Sequence, residues 1–139
     1  CIIEDCTFND VETQAIHTPA VEGEPDYLII RRNTFIECTG GINLPGTTNV
    51  VIVGNDFEWC TTAIDMVNGG YSTIRDNTIN GDPTGTNNFI DLTSGDNNLV
   101  CGNCLACTSA QYDTTCSDAT SGAWGGNHCA NGDTTAAPT

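Results

Sequence analysis

The chain has 139 residues, enough for one domain with a sizeable core, and it carries three arginines, no lysine and 18 acids, for a formal charge of -15. That balance excludes a nucleic-acid partner, which needs basic groups to displace counterions from phosphate, and an anionic membrane surface. No apolar run approaches the roughly 18 residues of a membrane span, so membrane insertion is excluded; no secretory signal stands in the sequence, and any such signal has been removed or lies outside it.

In chain order the elements repeat. "CIIEDCTFND", "LIIRRNTFIEC", "VVIVGNDFEWC", "STIRDNTINGD" and "LVCGNCLAC" align on Asn33, Asn55, Asn77 and Asn103, with Cys6 in the first copy, at spacings of 27, 22, 22 and 26 residues. Three residues before each anchor stand Ile3, Ile30, Ile52, Ile74 and Val100; two after stand Phe8, Phe35, Phe57, Ile79 and Leu105. A third apolar position returns at Ile16, Ile42, Ile64 and Ile90, where Ile42-Asn43-Leu44, Ile64-Asp65-Met66 and Ile90-Asp91-Leu92 alternate with the period of a strand.

Each unit is therefore predicted to hold three short strands. One unit alone buries nothing, whereas stacked units bring Ile onto Ile and Phe onto Phe. The competing arrangement, antiparallel hairpins of a sandwich or propeller, does not suit a fixed period with three apolar ladders. The asparagine is read as standing at a bend that needs φ > 0, which Asn tolerates, and as bonding the Asn one coil away in a structural ladder of Asn33, Asn55, Asn77 and Asn103.

The recurring Ile-x-x-Asn-x-Phe/Ile resembles the repeat of the pectin-lyase-like superfamily over most of residues 1–107. The resemblance implies an all-β, single-stranded, right-handed parallel β-helix, here of about five coils. It implies little about function, since such proteins include lyases, hydrolases, epimerases and non-catalytic surface proteins. From about Cys107 the periodicity fades. Residues 108–130 read as an irregular, disulfide-rich cap and 131–139 as a Thr/Ala/Pro linker. Cys1 already holds a strand position with nothing before it to cap the column. A longer parent chain, or another copy, is expected to stack on that end.

Nine cysteines suggest an oxidising compartment, so an extracellular or surface location, and the odd number leaves one thiol over. Cys38 and Cys60 share a column on consecutive coils at a spacing within the disulfide range, and a bridge between them is expected, with two buried thiols as the alternative. Cys101, Cys104, Cys107, Cys116 and Cys129 crowd the end. Their C-x2-C-x2-C run also invites a metal or iron–sulfur reading, but staples suit an acidic extracellular chain better.

In the alternating strands His17, Asn43, Asp65 and Asp91 point outward in one column. In the superfamily this face commonly hosts a polysaccharide groove, so these four residues are the candidate binding face. Asp65 and Asp91 could share Ca²⁺, or act as an acid–base pair on a glycosidic bond; a solvated strand face is the plain alternative. No other cofactor is expected. Trp59 leans outward and could stack on a sugar or pack on a neighbour. Arg31 and Arg75 lie on a different strand and are expected to pair with acids such as Glu4 and Asp76. The turns beside the face, at 39–41 and 61–63, look too short for deep cleft walls. The expectation is thus a non-catalytic, self-associating extracellular rod, with a polysaccharide-active or carbohydrate-binding protein as the alternative.

Overall fold

The computed structural model describes residues 1–19, 27–81, 88–92, 97–106, 123–125 and 128–129. The strands are β1 (Ile2–Glu4), β2 (Thr7–Asn9), β3 (Gln14–His17), β4 (Leu28–Arg31), β5 (Thr34–Ile36), β6 (Gly40–Asn43), β7 (Val50–Val53), β8 (Asp56–Cys60) and β9 (Thr62–Asp65). They continue as β10 (Thr73–Arg75), β11 (Thr78–Gly81), β12 (Asn88–Asp91), β13 (Leu99–Cys101), β14 (Cys104–Ala106), β15 (Ala123–Gly125) and β16 (His128–Cys129). Among the described residues there is no helix.

Every strand pairs with the strand three places along the chain until the last two, which pair with β13 and β14. All pairings are parallel. The result is a parallel β-solenoid with three long faces: β1-β4-β7-β10-β13-β15, β2-β5-β8-β11-β14-β16 and β3-β6-β9-β12. The antiparallel hairpin arrangement is thereby eliminated. The segment expected to be an irregular cap contributes two strands to the solenoid, β15 and β16. The remainder of 108–130 and the 131–139 tail lie outside the described residues.

The register puts like beside like. Ile3, Ile30, Ile52, Ile74 and Val100 face one another across the first sheet, and Ile16, Ile42, Ile64 and Ile90 across the third. From Ile30 to Val100, and from Ile42 to Ile90, these side chains are at most 1% exposed. Each such burial is worth about 1.5–3 kcal/mol. The rings of Phe8 and Phe35 stack at 5.0 Å and those of Phe35 and Phe57 at 4.6 Å, nearly parallel. Gly41 lets the third sheet approach this stack: a Cβ there would lie 2.7 Å from the Phe57 ring and 2.6 Å from the Ala63 carbonyl.

The asparagines form a buried chain. Asn33 Nδ2 donates to Asn55 Oδ1 at 3.1 Å, Asn55 to Asn77 at 3.0 Å and Asn77 to Asn103 at 2.9 Å. The same Oδ1 atoms accept the backbone N–H of the preceding rung, and Asn33 Oδ1 accepts that of Cys6. The bend does not place φ > 0 on the asparagine, contrary to the expectation from the sequence. The left-handed residue is the one before each anchor: Asp5, Arg32, Gly54, Asp76 and Gly102, with φ between 53° and 65°. Asn33, Asn55 and Asn77 do not take positive φ. They are needed for their amides.

Candidate functional site

The third sheet carries the polar column outward. His17, Asn43, Asp65 and Asp91 are register partners on consecutive rungs, because each follows the inward Ile of an alternating strand. Asn43 links its neighbours: its Nδ2 donates to Asp65 Oδ2 at 3.0 Å, and its Oδ1 lies 3.3 Å from His17 Nδ1. The other Asp65 oxygen accepts the Val67 N–H at 3.2 Å. Burial pushes the Asp65 carboxyl above its ordinary range; the Val67 N–H opposes this, and the charge of Asp91 adds to it. A depression of about 160 Å³ lies beside Asn43 and Asp65, walled by Gln14, Thr39 and Thr62. The segments at 39–41 and 61–63, read as short turns, are largely strand.

His17 stands two rungs from Asp65, about 10 Å by the strand spacing, too far for a shared ligand. The Asp65–Asp91 pair remains the one place on this column where two carboxylates adjoin.

The arginines pair away from the column. Arg31 Nε donates to Glu4 at 2.6 Å, Arg32 to Glu4 and Asp5, and Arg75 to Asp76. The guanidiniums hold the carboxyls of Glu4 and Asp5 below their ordinary range. Trp59 sits at the corner between the second and third sheets, 45% exposed and at φ 56°, with Glu37 and Asp10 at the corresponding corners of earlier rungs.

The cysteines depart from the staple reading. Cys38 and Cys60 are adjacent buried thiols in place of the bridge expected from the sequence. Their S–H groups point at the carbonyls of Ile36 and Phe8, and of Phe35 and Glu58. Burial pushes the Cys60 thiol up to about 12. Cys101 and Cys104 also carry free thiols, on different sheets either side of a turn, which corrects their reading as staples. Cys107 and Cys116 lie outside the described residues, and Cys129 is described only as the end of β16.

Two features were missed in the sequence. Polar groups enter the core a second time, where Ser72 Oγ accepts the Val50 N–H and Asn98 Oδ1 accepts the Ser72 N–H. The outward side of the first sheet carries an uncharged register column, Ile2, Ile29, Val51, Thr73 and Leu99. Next to it Tyr27 and Tyr71 are 72% and 65% exposed. The alternation "LIIR", "VVIV", "LVC", apolar on both faces, was the available signal.

This geometry defines a parallel β-solenoid with a hydrogen-bonded polar column on one face. The family described as periplasmic copper-binding protein (NosD) matches residues 1–128, and the chain belongs to it. No curated protein and no solved structure matches the chain. The described residues do not suit a copper ion. No three of their His, Cys, Asp or Glu side chains come together as a ligand group. Cys60, which would have to bind as thiolate, is held as a thiol, and the His17 Nδ1 faces Asn43.

Proposed function

We propose that the chain is a non-catalytic structural module outside the cytoplasm, a rigid β-solenoid rod that works in a filament, appendage or surface layer by association with further copies or with more of a parent chain. The observation that carries this reading is the continuous axial bonding: the Asn33–Asn103 chain and the Phe8–Phe35–Phe57 stack tie each rung to the next through the core. On the candidate face Asn43 binds both its neighbours, which supports a braced surface over a poised catalytic pair. The family's periplasmic description supports a location outside the cytoplasm, in keeping with the cysteine-rich sequence. Kinship with the pectin-lyase-like superfamily, five sequence coils and a cap stapled through Cys107, Cys116 and Cys129 belong to the same proposal.

A second reading rests on the adjacency of Asp65 and Asp91, which would hold Ca²⁺ or act together on a polysaccharide, with His17, Asn43 and Trp59 as further contacts. Size-exclusion chromatography and electron microscopy of the purified chain distinguish the two. Filaments or defined oligomers, with no sugar released from pectate or alginate, are expected. A monodisperse monomer that releases unsaturated sugars, and stops doing so on Asp65→Ala, overturns the first reading in favour of the second.

A further inference from the structure

The turn into the first sheet holds an alternation that the fold itself does not require. Counting back from the paired strands, Tyr27, Asn49, Tyr71 and Asn97 occupy one position on successive rungs. All four are left-handed, with φ of 71°, 57°, 54° and 57°. Asn visits this region readily, whereas for a bulky aromatic residue it is a genuine outlier. Asn49 and Asn97 serve the same turn, so the turn does not call for Tyr.

Nor does packing call for it. The two tyrosines are the most exposed large hydrophobic side chains among the described residues. A side chain that strains the backbone, lies mostly in solvent and returns two rungs on fits a partner better than it fits the fold. Two rungs separate the rings by about 10 Å along the axis. Beside them runs the uncharged column of Ile29, Val51, Thr73 and Leu99. The charges of this sheet sit at its far edge, where Arg31 pairs with Glu4 and Arg75 with Asp76. On a chain of net charge -15 the described residues here form an uncharged strip edged with aromatic rings.

We propose that this strip binds an extended, neutral, β-linked polysaccharide laid along the solenoid axis, with Tyr27 and Tyr71 stacking on every second sugar ring. The apolar face of a pyranose suits an aromatic ring, and a β-1,4-linked chain presents equivalent faces at every second residue, close to the two-rung interval. On the rung between them Asn49 holds the same turn position, its Nδ2 donating to Thr48 Oγ1 at 3.3 Å. An acidic polysaccharide is disfavoured by the field of the chain. Trp59 has no such setting, since its corner is shared with Glu37 and Asp10 instead of a second ring. The strip lies on the first sheet, apart from the Asp65 face, and the proposal holds whether or not copies of the chain associate.

The test is affinity electrophoresis of the whole chain in gels containing hydroxyethylcellulose, xylan or glucomannan, with polygalacturonate and alginate as acidic comparators. At least one neutral glycan should retard the protein. Tyr27→Asn and Tyr71→Asn keep a residue suited to the left-handed turn. Each should weaken retardation several-fold, and the pair should abolish it, while the melting temperature stays the same or rises. Tyr27→Phe and Tyr71→Phe should bind as the parent does. The proposal is overturned if no neutral glycan retards the chain, if the double Asn variant binds unchanged, or if the acidic comparators bind more tightly. It is equally overturned if the double variant dissolves an oligomer without altering glycan binding, for the strip would then be an interface between copies.

Discussion

Asn77 Oδ1 accepts two hydrogen bonds from Asn55, from its backbone N–H at 2.9 Å and from its Nδ2 at 3.0 Å. Asn77 in turn donates to Asn103 at 2.9 Å and to the Ile52 carbonyl at 3.1 Å. One amide thus serves three coils at a point sealed from water, where each group left unpaired costs about 1–3 kcal/mol. A substitution here exposes no surface and opens no turn; it strips partners from buried polar groups above and below.

Asn77→Ala is therefore expected to cost roughly 3 kcal/mol or more, read as a fall in the midpoint of urea unfolding. Because the left-handed residue is Asp76 and not Asn77, Asn77→Gly should be no better tolerated than Asn77→Ala. Asp76→Gly should be close to neutral: it loses an exposed ion pair with Arg75, worth about 0–1 kcal/mol, and relieves a strained φ. A marked rescue by Gly at 77 would return the turn to the asparagine and break the account given for the column.

The polar face makes a prediction in pH. The folded pKa of Asp65 is raised above its ordinary, unfolded value, chiefly by burial. Between those two values the folded state binds more protons than the unfolded chain, so stability falls as pH climbs through the window and stays lower above it. Asp65→Asn removes the charge and can keep an acceptor for the Val67 N–H, while Asn43 turns its amide to meet the new donor. The variant should match the parent at pH 3 and be the more stable of the two at pH 7. Glu4 and Asp5 work in the opposite sense, since Arg31 and Arg32 lower them; their contribution is present at neutral pH and lost in acid, in both proteins alike. Unfolding curves from pH 3 to 7 check this, and a parent that outlasts Asp65→Asn at pH 7 contradicts it.

What could be read from the sequence was what repeats in kind. Ile30, Ile52 and Ile74, or Phe35 and Phe57, keep one side-chain type because each must fill the same slice of core. The outward column from His17 to Asp91 was found only by its position after an inward Ile, and its hydrogen bonds could not be foreseen. The left-handed position escaped because Asp5, Arg32, Gly54, Asp76 and Gly102 share a backbone shape and no chemistry. Tyr27 and Tyr71 escaped because Asn49 and Asn97 interrupt them. β15 and β16 were hidden because Trp124 and Cys129 stand where earlier units carry Ile and Phe, although Asn127 keeps the spacing between them. Periodicity in residue class reports the core; turns and surfaces repeat in geometry, which many residues satisfy.

The paired thiols give the last prediction. Cys38 and Cys60 are 1% and 2% exposed, and burial holds the Cys60 thiol at about 12. At pH 8 its thiolate fraction is then on the order of one in ten thousand, against roughly a quarter for an ordinary cysteine, and the thiolate is the reacting form. Both cysteines should resist iodoacetamide in the native protein and react fully in guanidinium. Cys1, Cys6 and Cys104, all exposed, should react within minutes either way. Peptide mapping by mass spectrometry reads each site separately. Recovery of a Cys38–Cys60 cross-linked peptide from unreduced native material would show that the column closes into a bridge, and that the buried thiol pair is not the state the folded chain keeps.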